Sequence, residues 1–189
     1  MTHPVQAESL HEAENRFSQI RHMVYRQVER DIGDAISHTI RLTGISDDAA
    51  KMADQWRYAH DRIPGWSWSR EVRKFHRRPR RVEAAIWATY NNQPPRLCGL
   101  VLGRISRNRV YASIHYLAAN PEQETPLSGV FAQLAVRYLE LQAVALGCTM
   151  LSIAKPVESL VNFYGTLGFT HCVKKGQKIV RLERRLYPT

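Results

Sequence analysis

Residues 147–169, GCTMLSIAKPVESLVNFYGTLGF, decide how the rest of the chain is read. Gly147 can stop a helix that runs into it, and Thr149 to Ile153 is a short apolar run of strand type. Lys155-Pro156 breaks that strand, and Val157 to Tyr164 has helical character. The spacing Tyr164-Gly165-Thr166-Leu167-Gly168-Phe169 (Y-x-x-L-G-F) then makes a corner. Gly168 can take a positive φ and end the helix, while Leu167 and Phe169 anchor the corner in a core. Tyr164 falls one turn back, near the strand ends.

Upstream of Gly147, Leu127, Phe131, Leu134, Tyr138, Leu141 and Ala145 form the apolar stripe of a helix over residues 129–146. Downstream, residues 169–173, a Lys174-Lys175-Gly176-Gln177 turn and residues 179–186 read as a hairpin. Residues 82–90, 97–105 and 109–118 read as an antiparallel meander, with turn clusters at Asn91 to Pro95 and Ser106 to Asn108. A first strand is expected over residues 38–45. Ser46-Asp47-Asp48 then offers an N-cap and two first-turn carboxylates for a helix reaching about Arg62. Residues 5–32 read as one amphipathic helix, which either packs on the main sheet or forms a dimer. The chain thus divides into a helical extension, residues 1–37, and a main domain, residues 38–189. The element order is that of an α+β fold with a mixed, mainly antiparallel sheet flanked by helices.

The 189 residues suffice for a full core, and 44% hydrophobic content marks a globular chain. No apolar run approaches the roughly 20 residues of a membrane span. The first residues lack an apolar signal region, so a cytoplasmic location is expected. Cys98, Cys148 and Cys172 have no metal-site spacing and are expected as small buried thiols. With no Cys/His cluster and no glycine-rich phosphate loop, metal and nucleotide chemistry find no support. Charge is more informative: 27 Lys+Arg against 17 Asp+Glu gives +10. Such a surface favours anionic partners. It concentrates in residues 66–81, WSWSREVRKFHRRPRR, read as a helix whose only acid is Glu71. That helix is either a solvated face or an anion-binding surface, with RNA or another polyanion as partner through residues 70–81 and Arg73, Arg77 and Arg80 as its contacts. Trp66, Trp68 and Phe75 either anchor it or stack on bases.

The Y-x-x-L-G-F corner and the element order over residues 38–186 resemble the GCN5-related N-acetyltransferase (GNAT) superfamily, with the N-terminal helix as an addition. The resemblance implies acetyl-coenzyme A as co-substrate and transfer of its acetyl group to an amine by direct attack in a ternary complex. In that family the strand equivalent to residues 109–118 bulges and splays from the one equivalent to residues 149–153. Leu117, Ala118 and Ala119 would then offer backbone groups to the acetyl and pantetheine arm. The loop before the next helix would hold the pyrophosphate, a good place for an anion because free N–H groups and the helix dipole converge there. Here the chain departs from the family's Gln/Arg-x-x-Gly-x-Gly/Ala: the six residues are Glu124, Thr125, Pro126, Leu127, Ser128 and Gly129. Only the last glycine survives. The amides of Leu127, Ser128, Gly129 and Val130, with the Thr125 and Ser128 hydroxyls, remain to hold an anion. Val157 replaces a frequent asparagine.

By the same resemblance Tyr164 protonates the departing thiolate as a general acid, or else only packs under the corner. His115 is the best-placed base for the arriving ammonium, or else structural; Tyr111, Ser113 and Ser152 are candidates to orient a water. The acceptor is expected to be an amine, anionic or nucleic-acid-linked, such as aminoacyl transfer RNA. The other reading is a GNAT-like nucleic-acid-binding protein without catalysis.

Overall fold

The computed structural model describes residues 9–33, 39–56, 66–89, 93–122 and 127–187. In chain order these form α1 (Leu10–Gly33), β1 (Thr39–Thr43), α2 (Asp47–Gln55), α3 (Trp68–His76), β2 (Arg81–Thr89), β3 (Arg96–Ile105) and β4 (Tyr111–Ala119). They continue with α4 (Phe131–Ala145), β5 (Met150–Ala154), α5 (Val161–Thr166), β6 (His171–Lys175) and β7 (Lys178–Arg185). A single 3-10 turn, Glu158–Leu160, leads into α5. The strands make one 7-stranded sheet in the order β1-β2-β3-β4-β5-β7-β6. Every neighbouring pair is antiparallel except β4 and β5, which run parallel. This is the expected mixed, mainly antiparallel sheet flanked by helices.

Sequence explains the helix starts. Ser46 accepts a hydrogen bond from the Ala49 amide at 3.1 Å and caps α2. Ser67 does the same for α3 from Arg70, and Asp54 at the end of α2 accepts from the amides of Trp68 (2.6 Å) and Ser69 (3.2 Å). The arginine-rich helix is shorter than expected. It ends at His76 because Pro79 has no amide hydrogen and disfavours helical backbone at Arg78. Arg81 already belongs to β2. The part of the second expected helix beyond Trp56 lies outside the described residues, as do the Asn91-Asn92 turn and residues 123–126.

Two apolar clusters lie on opposite faces of the sheet. One contains Val82, Ile86, Val101, Ile114, Ile153, Tyr164 and Phe169 with the inner faces of α1 and α4. The other contains Ala85, Leu100 and Leu102 with Trp68, Val72 and Phe75 of α3. Trp68 and Phe75 are therefore core anchors, not surfaces for stacking bases. Phe17, Val24, Tyr25 and Val28 seat α1 on the sheet.

β1 pairs with β2 only over residues 85–89, which leaves the Arg81–Ala84 edge to be satisfied otherwise. Tyr25 and Tyr138 both donate to the Glu83 carbonyl, and the Glu83 amide donates to the Tyr138 oxygen at 3.3 Å. Glu83 itself is a buried carboxylate, 2.7 Å from Arg81 Nε, 3.6 Å from Arg21 Nε and 3.4 Å from His76 Nε2. Glu14 completes the group with contacts of 2.6 Å to both Arg21 and Arg81. Cys98 and Cys148 are buried as expected, but Cys172 is exposed because β6 is the edge strand. Among the described residues no helix is long and apolar enough to cross a membrane.

Candidate active site

The corner around Tyr164 forms as its residues dictate. The amides of Leu167 and Phe169 donate to the Tyr164 carbonyl at 3.0 and 3.1 Å, and Gly168 takes φ 87°. A side chain at Gly168 would strike Arg184. Arg184 locks the corner: it donates to the Leu167 carbonyl at 2.8 Å, lies over the Phe169 ring and pairs with Glu140 of α4. The Tyr164 ring is buried between Phe163 and Phe169. Burial raises its phenol above the ordinary value. Its hydroxyl has no hydrogen bond among the described residues and is not one of the sealed polar atoms. A phenol in that state keeps its proton at neutral pH and has it free to give.

β4 carries the decisive irregularity. Leu102 pairs with Tyr116 and Gly103 with Ile114, so His115 is an extra residue bulged out of the ladder. The bulge changes which face each side chain meets. Ala112 and Ile114 lie in the first cluster, whereas Tyr116 and Ala118 pack on the second. Pairing to β5 runs from Tyr111–Met150 to Ile114–Ile153 and stops there. Beyond it β4 keeps β3 as its partner to Ala119, and the side once facing β5 is open among the described residues. Leu117, Ala118 and Ala119 thus line a fork whose apex is Ile114 and Ile153.

Gly103 and Gly99 permit this geometry. A Cβ at Gly103 would overlap the Ser113 carbonyl, and one at Gly99 would overlap the Phe131 ring and the Ala118 carbonyl. Phe131 therefore sits directly on the sheet and brings the N-terminus of α4 to the fork. Leu127 is buried, and its carbonyl accepts from the amides of Val130 (3.1 Å) and Phe131 (3.0 Å). Of the expected anion-holding amides, Val130 is thereby occupied, and that of Leu127 is turned to the Cys98 sulfur. Ser128 and Gly129 remain without backbone partners among the described residues, and Gly129 has φ 82°. No acid lies in the first turn of α4. Thr125 lies outside the described residues. An open strand edge fits an extended amide-bearing arm, and two amides without a backbone partner among the described residues, at a helix whose first turn has no acid, fit a phosphate.

His115 lies on the α3 side, its ring 5.8 Å from that of Phe75. Burial first, then the charges of Arg104, Arg78 and Lys155, push its imidazole down to about 4. It is therefore neutral at pH 7 and able to accept a proton, though as a weak base. Ser113 and Ser152 hydrogen-bond to each other at 2.6 Å beside the fork, and Arg181 lies over the Tyr111 ring. Trp66 and Tyr116 pack at 4.7 Å, and the Tyr116 hydroxyl donates to buried Glu71 at 3.0 Å.

The basic segment is less uniform than its sequence. Arg70 and Lys74 pair with Glu71, and Arg81 pairs with Glu14 and Glu83. The acids that neutralise Arg81 come from distant parts of the chain, which local composition did not reveal. Arg80 donates to the Arg107 carbonyl at 2.7 Å. Arg73 and Arg77 are exposed on α3 and at its end, away from the helix's buried face.

No protein-family sequence profile matches the chain, and no curated protein matches it in sequence. Solved structures do match. A domain from Methanocaldococcus jannaschii is 18% identical with a TM-score of 0.58, covering 79% of this chain and 99% of its own. A spermidine N-acetyltransferase variant from Vibrio cholerae gives 15% identity and 0.55, covering 78% and 94%. The PaiA N-acetyltransferase from Thermoplasma acidophilum, solved with coenzyme A, gives 14% and 0.54, covering 77% and 98%. The chain has the GNAT-like fold.

Proposed function

We propose that the protein is an N-acetyltransferase that moves an acetyl group from acetyl-coenzyme A to an amine by direct attack in a ternary complex. The observation that carries this reading is the β4/β5 fork opened by the bulge at His115, with Tyr164 in the same core cluster as the fork apex. When bound, acetyl-coenzyme A supplies an activated thioester. The backbone of Leu117, Ala118 and Ala119 holds its extended arm, and the Ser128 and Gly129 amides face its pyrophosphate. Tyr164 holds a proton for the departing sulfur, and His115 accepts one from the amine. The similar solved structures named as N-acetyltransferases support the reading through the fold.

Calorimetry with acetyl-coenzyme A tests it. Saturable binding is expected, weaker than in a relative with the complete glycine loop; no binding at millimolar concentration removes the transferase reading. Gly129→Val should weaken binding roughly tenfold or more, because a side chain in left-handed backbone costs about 1–2 kcal/mol and displaces the amides. A Cβ at Gly129 meets no atom of the described residues within 4 Å, so the loss is expected from the displaced backbone and not from a clash with them.

For the acceptor, we propose a nucleic-acid-linked amine, supported by the exposed Arg73 and Arg77 and the +10 charge. Filter binding to transfer RNA should show affinity falling linearly with log salt. Replacing Arg73, Arg77 and Arg80 by Ala should flatten that slope by at most about three units, each lost phosphate contact being worth roughly one. Equal, weak binding of transfer RNA and duplex DNA, unchanged in the variant, would leave these arginines as ordinary surface.

A further inference from the structure

Four separate elements bring charge and aromatic surface to His115. Phe75 of α3 supplies a ring against which both the imidazole and the Arg78 guanidinium lie, the latter with Cζ 5.3 Å from the ring centroid. Arg104 of β3 stands directly across from Ser113, on the same sheet face as the bulge. Lys155 follows the end of β5, one side of the fork, where φ 49° bends the chain sharply. All three cations are exposed, and none is paired with a carboxylate among the described residues. The neighbouring Arg70, Lys74 and Arg81 all have acidic partners. Three like charges converging on a neutral imidazole repel one another, and an arriving anion relieves that repulsion.

We infer that Arg78, Arg104 and Lys155 form an anion subsite for the acceptor, binding a carboxylate or phosphate that sits close to the reacting amine. This rests on the transferase reading, since it makes His115 the neighbour of that amine. The buried Phe75 ring gives the subsite an apolar wall against which the imidazole and the Arg78 guanidinium both lie. An anion in the subsite also offsets the positive charge that disfavours protonated His115, so the correct acceptor itself strengthens the base. An amine without such a group leaves the imidazole in its weak form. The three cations lie in the loop after α3, on β3 and after β5, so no helical periodicity or local charge run unites them.

The test uses the full chain, with the His115 imidazole followed by NMR at pH 7. The probes are O-phosphoethanolamine, β-alanine and n-propylamine, which carry a phosphate, a carboxylate and no anion beside a primary amine. The phosphate and carboxylate probes should shift the His115 signal saturably, and their relative affinities separate the two sources of anion. n-Propylamine should bind at least tenfold more weakly. Arg78→Gln, Arg104→Gln and Lys155→Gln together should weaken the anionic probes tenfold or more while leaving acetyl-coenzyme A affinity unchanged. Added salt should compete with the probes. Silence from both anions while acetyl-coenzyme A still binds overturns the subsite alone. Equal response to all three probes also overturns it, as does loss of the response when coenzyme A saturates the protein. Anion binding without any acetyl-coenzyme A binding overturns the transferase reading and, with it, the acceptor role of the subsite.

Discussion

Tyr164→Phe should lower kcat about a hundredfold or more while acetyl-coenzyme A binds as in the wild type. The hydroxyl is asked to act only as the sulfur departs, so its loss falls on kcat and kcat/KM together, not on cofactor affinity. General acid catalysis of this kind is typically worth 10²–10⁴-fold. Among the described residues no hydrogen bond depends on the oxygen. The ring makes the packing contacts with Phe163 and Phe169, and the corner's hydrogen bonds run to the Tyr164 backbone carbonyl. Phe keeps the ring, so thermal stability should be nearly unchanged. Burial raises the phenol, so the wild type should hold its activity into alkaline solution, without a falling limb below the ordinary tyrosine range. Steady-state kinetics with calorimetry separates the cases. Unaltered kcat in the variant would make Tyr164 a packing residue.

Much of the fold was legible because its signals are local. Gly168 at φ 87° and the buried Phe169 realise what Y-x-x-L-G-F implies, and the strand alternation placed the meander within a residue or two. What sequence concealed depends on neighbours far along the chain. The bulge at His115 is invisible to periodicity: Ala112, Ile114, Tyr116 and Ala118 alternate without a break, yet they divide between opposite faces. Only the pairing with Leu102 and Gly103 exposes the extra residue. The arginine-rich stretch misled in the opposite direction. Its composition shows one acid, but Glu14 and Glu83 fold back onto Arg81, and Pro79 turns the chain into β2. Arg78, Arg104 and Lys155 belong to three separate elements, so only the folded chain assembles them around the candidate site. The anion-holding loop was readable only in part, since the Val130 amide serves the Leu127 carbonyl.

Glu83→Ala should be the most damaging of the single substitutions considered, costing about 3–5 kcal/mol in denaturant unfolding, the range for breaking a buried ion pair. Glu83 stands among Arg21, Arg81 and His76, and Arg21 and Glu83 are both almost wholly buried. Removing the carboxylate leaves the Arg21 guanidinium, among the described residues, with Glu14 and the Pro79 carbonyl at 3.1 Å. The same group sets the pH dependence of stability. Burial alone would raise the Glu83 carboxyl, but His76, Arg81 and Arg21 outweigh it and hold it below the ordinary value. Its contribution is present above the unfolded carboxylate pKa and is lost as pH falls through the depressed folded value. His76 has the opposite sign: the Glu83 contact raises its imidazole, so its contribution is present below the unfolded value, near 6.5, and is lost as pH rises through the folded one. Half-buried His115 opposes that gain, because its lowered pKa removes stability as pH falls below about 6.5. His76→Gln separates the two histidines. It should remove the part of the stability that declines as pH rises through the raised His76 value and leave the loss between pH 6.5 and 4 in place. Urea titrations from pH 4 to 9 measure both slopes, and identical profiles for wild type and His76→Gln would show that Glu83 is held by its arginines alone.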